Sequence, residues 1–127
     1  MDRTGNQKLS NMEINIPVAA GETITEATMV AINSEGYAVA ASKSENLNIA
    51  GCAVKFTDNT LGSAGAVRVP VRRGAFVWNN DGSIMETDIL KEAYIEDGRT
   101  VTIMPDGSSR AGKILAVEAD GVTVEML

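Results

Sequence analysis

The chain has 127 residues and 44% hydrophobic side chains, the size and composition of one globular domain. Its formal net charge of −6 argues against nucleic acid as the main partner, since phosphates call for a basic face, and no apolar run approaches the ~18 residues of a membrane span. The absence of histidine removes His-based acid–base catalysis, Ser–His–Asp triads and almost all zinc sites, and the single cysteine, Cys52, excludes an internal disulfide.

In chain order, Met1–Asn11 is polar and reads as a flexible N-terminal arm, with no apolar leader, so the chain is expected to be made and kept in the cytosol. Met12, Ile14 and Ile16 alternate with Glu13 and Asn15 until Pro17. Two short extended runs, Thr28–Ile32 and Tyr37–Ala41, flank Asn33–Ser34–Glu35–Gly36, which predicts a hairpin. Ile49 to Phe56 predicts a largely buried strand containing Cys52 as a small core residue, and residues 58–65 predict a loop.

The central stretch is Ala66 to Trp78. Val67, Val69 and Val71 alternate with Arg68, Pro70 and Arg72, the period of a half-buried strand. Pro70 lacks a ladder donor and predicts an edge strand or a bulge. Arg73–Gly74 breaks the alternation and predicts a bend into a second strand that carries Phe76 and the only Trp, Trp78. Arg68, Arg72 and Arg73 form a basic cluster, while Asp81, Glu86, Asp88, Glu92, Glu96 and Asp97 follow with only Lys91 among them. These are either two solvated faces of opposite sign or complementary patches that meet between subunits.

Glu86 to Ala93 is the one stretch compatible with a helical turn, with Thr87 as a candidate cap. Beyond it the chain is hairpin material. Asp81–Gly82, Asp97–Gly98, Asp106–Gly107 and Asp120–Gly121 separate alternating apolar runs, and type I′ turns favour this pair. Their unequal spacing reads as turns and not as a repeat. The fold class is therefore all-β: a single domain over residues 12–127, a β-sandwich or barrel of short antiparallel strands, behind the Met1–Asn11 arm. With only five aromatics, its core rests on Val, Ile, Ala, Met and Leu.

The inventory of chemistry is nearly empty. Cys52 has no partner base. Gly62–Ser63–Ala64–Gly65 lacks the Lys-Ser/Thr of a phosphate loop. Asn79–Ser83 has calcium-loop residue types but fails the spacing, with Met85 at a ligand position. Glu86, Asp88 and Glu92 are the remaining candidates for a carboxylate acid–base pair, and acidic residues in a turn are more often simply solvated. No enzyme, catalytic residue, cofactor or metal is expected.

Residues Gly21 to Glu125 nevertheless resemble a family of small phage head proteins, the capsid cement or decoration proteins. The features run in order through Gly21–Glu22–Thr23–Ile24, Ile49–Ala50–Gly51–Cys52–Ala53, Ala64–Gly65, Val67–Arg68–Val69 and Arg73–Gly74–Ala75–Phe76. Ala93–Tyr94–Ile95–Glu96–Asp97–Gly98–Arg99–Thr100–Val101–Thr102 is the most specific piece, followed by Ala111–Gly112–Lys113–Ile114 and Asp120–Gly121–Val122–Thr123–Val124. The resemblance implies a structural virion protein, made in the host cytoplasm, that binds the outside of the capsid and bridges subunits of the major capsid protein, self-associating as a homo-oligomer. It carries over no catalytic residues. Arg68, Arg72 and Arg73 are the candidate capsid or subunit contacts. The alternatives are a tail-associated adaptor or a carbohydrate-binding β domain, the latter requiring Trp78, Tyr37 or Tyr94 as exposed stacking platforms.

Overall fold

The computed structural model describes residues 12–127; the arm expected over Met1–Asn11 lies outside the described residues. The strands are β1 (Glu13–Pro17), β2 (Thr23–Ile24), β3 (Met29–Ile32), β4 (Ala38–Ala40), β5 (Asn48–Ala53), β6 (Thr57–Asp58), β7 (Arg68–Arg72), β8 (Gly74–Asn80), β9 (Glu92–Asp97), β10 (Thr100–Thr102), β11 (Arg110–Glu118) and β12 (Gly121–Met126), with a single 3₁₀ turn at Glu86–Asp88. The all-β class therefore holds, with antiparallel pairing everywhere except β8–β10 and one bridge described below.

The strands form the same arrangement twice. The first sheet has the order β1-β7-β5-β3-β4, and the closed barrel, followed from β8, has the order β8-β12-β11-β9-β10. The barrel closes where β10 pairs parallel with β8. The first sheet curls the same way: Val18, one residue beyond β1, makes a parallel bridge to Ala38 on β4. Residue-level features repeat as well. Gly51 stands opposite Val30, and Gly112 opposite Ala93, each directly after a one-residue register shift that leaves Ala50 or Ala111 as the extra residue.

Just before β3 and β9 the two halves share a rarer feature. Ala27 (φ 65) donates its N–H to the Ala53 carbonyl, and Leu90 (φ 72) donates its N–H to the Ile114 carbonyl. Left-handed backbone at a residue other than glycine is uncommon, so its recurrence at matched positions marks two copies of one plan. The unequal Asp-Gly spacing concealed this repeat, because the connections differ. β5 and β7 are joined through β6 and a long loop, whereas β11 and β12 are joined by Ala119–Asp120 alone.

The two halves also match in their interiors. Ile16, Val30, Ala38, Ala50, Ala53, Val69 and Val71 fill the first. Trp78, Ala93, Val101, Ala111, Ile114, Val122 and Val124 fill the second at the corresponding positions. The outer faces differ. Met29, Ala31, Ile49 and Cys52 point out of the first sheet and join the core of the second barrel. Their counterparts Glu92, Tyr94, Arg110 and Lys113 stay at the surface, with Glu92 and Arg110 ion-paired. One apolar face thus glues the halves together, and its charged copy stops the stacking. Met29 N–H to Gly98 O at 2.8 Å and Leu47 N–H to Ser109 Oγ at 3.0 Å add directional ties between them.

Several local expectations change. Gly74 (φ 146) sits where β7, in the first sheet, becomes β8, in the second, so the predicted bend is the joint between halves. Pro70 lies in an interior strand and not on an edge. The β5–β7 ladder covers only Cys52↔Arg72 and Ala53↔Val71, and Val54 N–H already supplies the Pro70 carbonyl, so the missing donor falls beyond the ladder. Asp106–Gly107 links β10 to β11, which do not pair. Asp81–Gly82 likewise leads from β8 to β9, which do not pair; the hairpins at Asp97–Gly98 and Asp120–Gly121 form, with no positive φ in the loops Gly98–Arg99 and Ala119–Asp120 and Gly121 (φ 143) opening β12. The 3₁₀ turn is capped by Asp88 reaching back to Met85 N–H at 2.9 Å, not by Thr87. Nor do all five aromatics enter the core: Phe56 is 57% exposed.

The glycines opposite β3 and β9 are needed for space. A Cβ on Gly51 would lie within 3.0 Å of the Arg72 carbonyl oxygen, and one on Gly112 equally close to that of Glu125. Gly51→Ala or Gly112→Ala is expected to destabilise by more than about 3 kcal/mol, because backbone would have to move. Gly107→Ala, which meets nothing within 4 Å, is expected to cost only the left-handed backbone term of about 1 kcal/mol. Urea denaturation of the three variants separates the two effects.

Candidate binding surface

β7 presents two different sides. Val69 and Val71 are fully buried, and Arg68 and Arg72 point outward on the opposite side, about 13 Å apart along the strand. Neighbouring β1 sets Pro17 opposite Arg68 and Glu13 opposite Arg72. The Arg72–Glu13 pair spans 3.8 Å between half-exposed side chains and contributes little stability. Arg68 has no carboxylate partner among the described residues. Beyond the Val54–Pro70 hydrogen bond the chain leaves β7, and the next residues, Lys55 and Phe56, are both exposed. Phe56 was expected to end a buried strand; β5 stops at Ala53, and only this early ending, invisible in the apolar pattern, puts the ring outside.

Arg73 does not belong with the other two. It is half-buried at the joint between the sheets, and its Nη1 donates to the Ala50 carbonyl at 2.8 Å. That carbonyl belongs to the extra residue of the β5 bulge, so Arg73 fastens the bulge in place. The predicted cluster is therefore an outward pair plus one structural arginine.

The remaining candidates are engaged elsewhere. Cys52 is half-buried against the second barrel; burial pushes its thiol up, and the nearby Arg72 charge only partly offsets this. Asn80 Oδ1 accepts from Gly82 and Ile84 N–H, and Asp81 Oδ1 accepts from Ser83 N–H and Oγ, so the calcium-like residues close their own turn. Burial tends to raise the Asp81 carboxyl, but hydrogen bonds from Ser83 and Thr102 outweigh it and hold the group below its ordinary range. Asp88, bonded to Met85 N–H and to Lys91, is likewise held low. Of the acidic candidates, Glu92 pairs with Arg110 and Asp88 with Lys91. Among the described residues no cluster of metal-ligating side chains occurs, and no helix is long and apolar enough to cross a membrane.

Trp78 is 5% exposed, its Nε1 lies 3.2 Å from Met126 Sδ, and its ring tilts against Phe76 at a centroid distance of 6.2 Å. Tyr37 and Tyr94 are half-buried. A shallow cavity of about 170 Å³ opens between the halves, lined by Ala27, Val77, Trp78, Asn79 and Arg99. Asn59, which the sequence did not single out, is 3% exposed and donates from Nδ2 to the carbonyls of Val18, Ala19 and Ser63. It clamps the residue 58–66 loop against the chain after β1.

Comparison of the chain with protein-family models, characterised proteins and solved structures returns no match. The geometry thus stands on its own. Arg73→Ala is expected to lower stability by about 1 kcal/mol through the lost bulge contact, whereas Arg68→Ala stays within about 0.5 kcal/mol of the parent; denaturant midpoints check both. Asp81 and Asp88 have lowered folded-state pKa values, so their contribution is present above the unfolded value and lost as pH falls through the folded one. Stability should therefore decline as pH falls through and below the usual carboxylate range, and Asp81→Asn should flatten that limb of the stability–pH curve.

Proposed function

We propose that this protein is a capsid-stabilising decoration protein, a non-enzymatic structural component that sits on the outer surface of a phage head and bridges subunits of the major capsid protein. The observation that carries the reading is the outward β1–β7 face, with Arg68 unpaired among the described residues and Arg72 loosely paired. Exposed arginines with no firm partner of their own are side chains that can anchor protein–protein contacts. The residues that resemble cement proteins support the same reading. Some of them occupy joints of this fold: the Ala50–Gly51 and Ala111–Gly112 bulges, the Arg73–Gly74 joint, and the Asp97–Gly98 turn.

The physical role asks for no chemistry. A protein that binds the assembled shell and not its separated subunits stabilises the shell by linkage, by an amount that grows with occupancy. A curled sheet packed on a closed barrel, with matched cores, supplies a stiff body for that purpose.

Co-sedimentation with expanded shells of the major capsid protein tests the reading. Saturable binding at a fixed ratio of copies to capsid subunits is expected, with affinity lowered about tenfold or more by Arg68→Glu/Arg72→Glu. Binding to neither expanded nor unexpanded shells would overturn it and leave attachment at the tail as the next reading.

A further inference from the structure

The four Asp-Gly pairs, at Asp81–Gly82, Asp97–Gly98, Asp106–Gly107 and Asp120–Gly121, are chemically alike, and the fold treats them unequally. An aspartate before glycine can cyclise, because glycine has no side chain to hinder the approach of its nitrogen to the carboxyl carbon. The reaction needs the carboxyl group and the following N–H free together, and a peptide unit able to rotate between them. Three of the pairs are restrained. Asp81 Oδ1 accepts from Ser83 N–H and Oγ, and Gly82 donates its N–H to Asn80 Oδ1 at 2.8 Å. Asp97 Oδ1 accepts from Arg99 N–H at 2.8 Å, and the Gly98 carbonyl accepts from Met29 N–H across the seam between the halves. Gly121, after Asp120, is buried in β12 opposite Glu118 and lies so close to the Trp78 carbonyl that a Cβ would not fit.

Asp106–Gly107 has none of these restraints. Among the described residues neither the Asp106 carboxylate nor the Gly107 N–H has a partner, and the one bond that crosses the pair, Ser108 N–H to the Pro105 carbonyl at 3.2 Å, uses neither group. Both residues are exposed, and a Cβ on Gly107 (φ 72) would meet nothing within 4 Å. The turn is fastened only at its ends, by Met104 N–H to Thr102 Oγ1 at 3.2 Å and by Ser109 Oγ to the Ser44 carbonyl at 2.6 Å. It joins β10 to β11, which do not pair, so no ladder register depends on its length.

We propose that Asp106–Gly107 is a covalent modification site, at which the folded protein converts aspartate to isoaspartate faster than at its other Asp-Gly pairs. The Gly107 nitrogen attacks the side-chain carboxyl carbon of Asp106; the N–C bond forms, the C–O bond breaks, and the amide proton leaves with the hydroxyl as water. Water then adds back to one carbonyl of the resulting succinimide. Opening at the side-chain carbonyl restores aspartate. Opening at the main-chain carbonyl leaves the backbone running through the side chain, one methylene longer, with a free α-carboxylate. Water is the only reagent, and mass and charge are unchanged. The added methylene falls between the two fastenings of a turn that supports no ladder, so the product keeps its fold and accumulates. The reaction needs no shell, and capsid binding and isomerisation can each fail alone.

The test is to age the folded full chain for weeks in mildly acidic buffer, which keeps a fraction of carboxyl groups protonated, and then to digest it with trypsin. Cleavage after Lys91, Arg99, Arg110 and Lys113 puts each Asp-Gly pair in its own peptide. Isoaspartate is read by methyl labelling of the new α-carboxylate with an isoaspartyl methyltransferase, and by fragmentation mass spectrometry. The Asp106 peptide is expected to convert about tenfold or more faster than each of the other three, and all four to converge within about threefold when the chain is aged in urea. Asp106→Glu should abolish the signal in that peptide and leave the denaturant midpoint unchanged, because a six-membered ring closes far more slowly. Conversion at Asp106 no faster than at Asp81, Asp97 or Asp120 in the folded chain, or none there while the unfolded chain converts, overturns the proposal.

Discussion

Everything in this fold depends on backbone passing unusually close to backbone. At Gly51 and Gly112 the chain runs so near the carbonyl of the adjacent strand that a single methyl group would not fit. Each glycine follows an alanine that has been pushed out of register, and that bulge gives its strand the extra twist needed to curl a short sheet toward closure. Gly121 makes a third approach of this kind, to the Trp78 carbonyl, where β12 lies against β8. Closure of small sheets by such bulges explains how a chain with only five aromatic residues can have enclosed cores.

Given closure, a division of labour between the halves follows. The inward faces are interchangeable in plan, with Val, Ile and Ala at matched places, and the outward faces are not. Met29, Ala31 and Ile49 are buried against the second barrel, each fully buried side chain of the larger kind contributing roughly 1.5–3 kcal/mol. At the same positions of the second half, Glu92 and Arg110 form an ion pair at the surface and Tyr94 is only half-buried. The surfaces that distinguish the two halves from each other are the arginine-bearing β1–β7 face of the first and the exposed Met85–Leu90 segment of the second. Each lies where its counterpart in the other half is different in character.

The period-2 alternation of Val67, Val69 and Val71 was sufficient to place β7, and Arg73–Gly74 was sufficient to place the bend after it, because both signals are local. The strand-rich class followed from the same kind of evidence. The repeat was not legible, since it resides in which strand pairs with which, and the only residues that carry it are an Ala-Gly pair and a Val-x-Val run that many β proteins contain. Arg73 was grouped with Arg68 and Arg72 because sequence adjacency looks like spatial adjacency; a bend between two sheets turned its side chain toward Ala50 instead. Phe56 was read as the end of a largely buried strand, and its exposure depends on where that strand stops. Asn59 was invisible for a related reason: its three carbonyl partners come from segments forty residues earlier and four residues later.

Arg73–Gly74 is the one covalent crossing between the halves, yet they do not form separable modules. The first half, alone, would expose Met29, Ala31, Ile49 and Cys52 to water, and the second would lose the side chains that complete its core. Neither barrel can melt without uncovering part of the other. Architecture that is duplicated on paper therefore behaves as one cooperative unit, and the raised, half-buried thiol of Cys52 lies at the seam that would have to part for that cooperativity to fail.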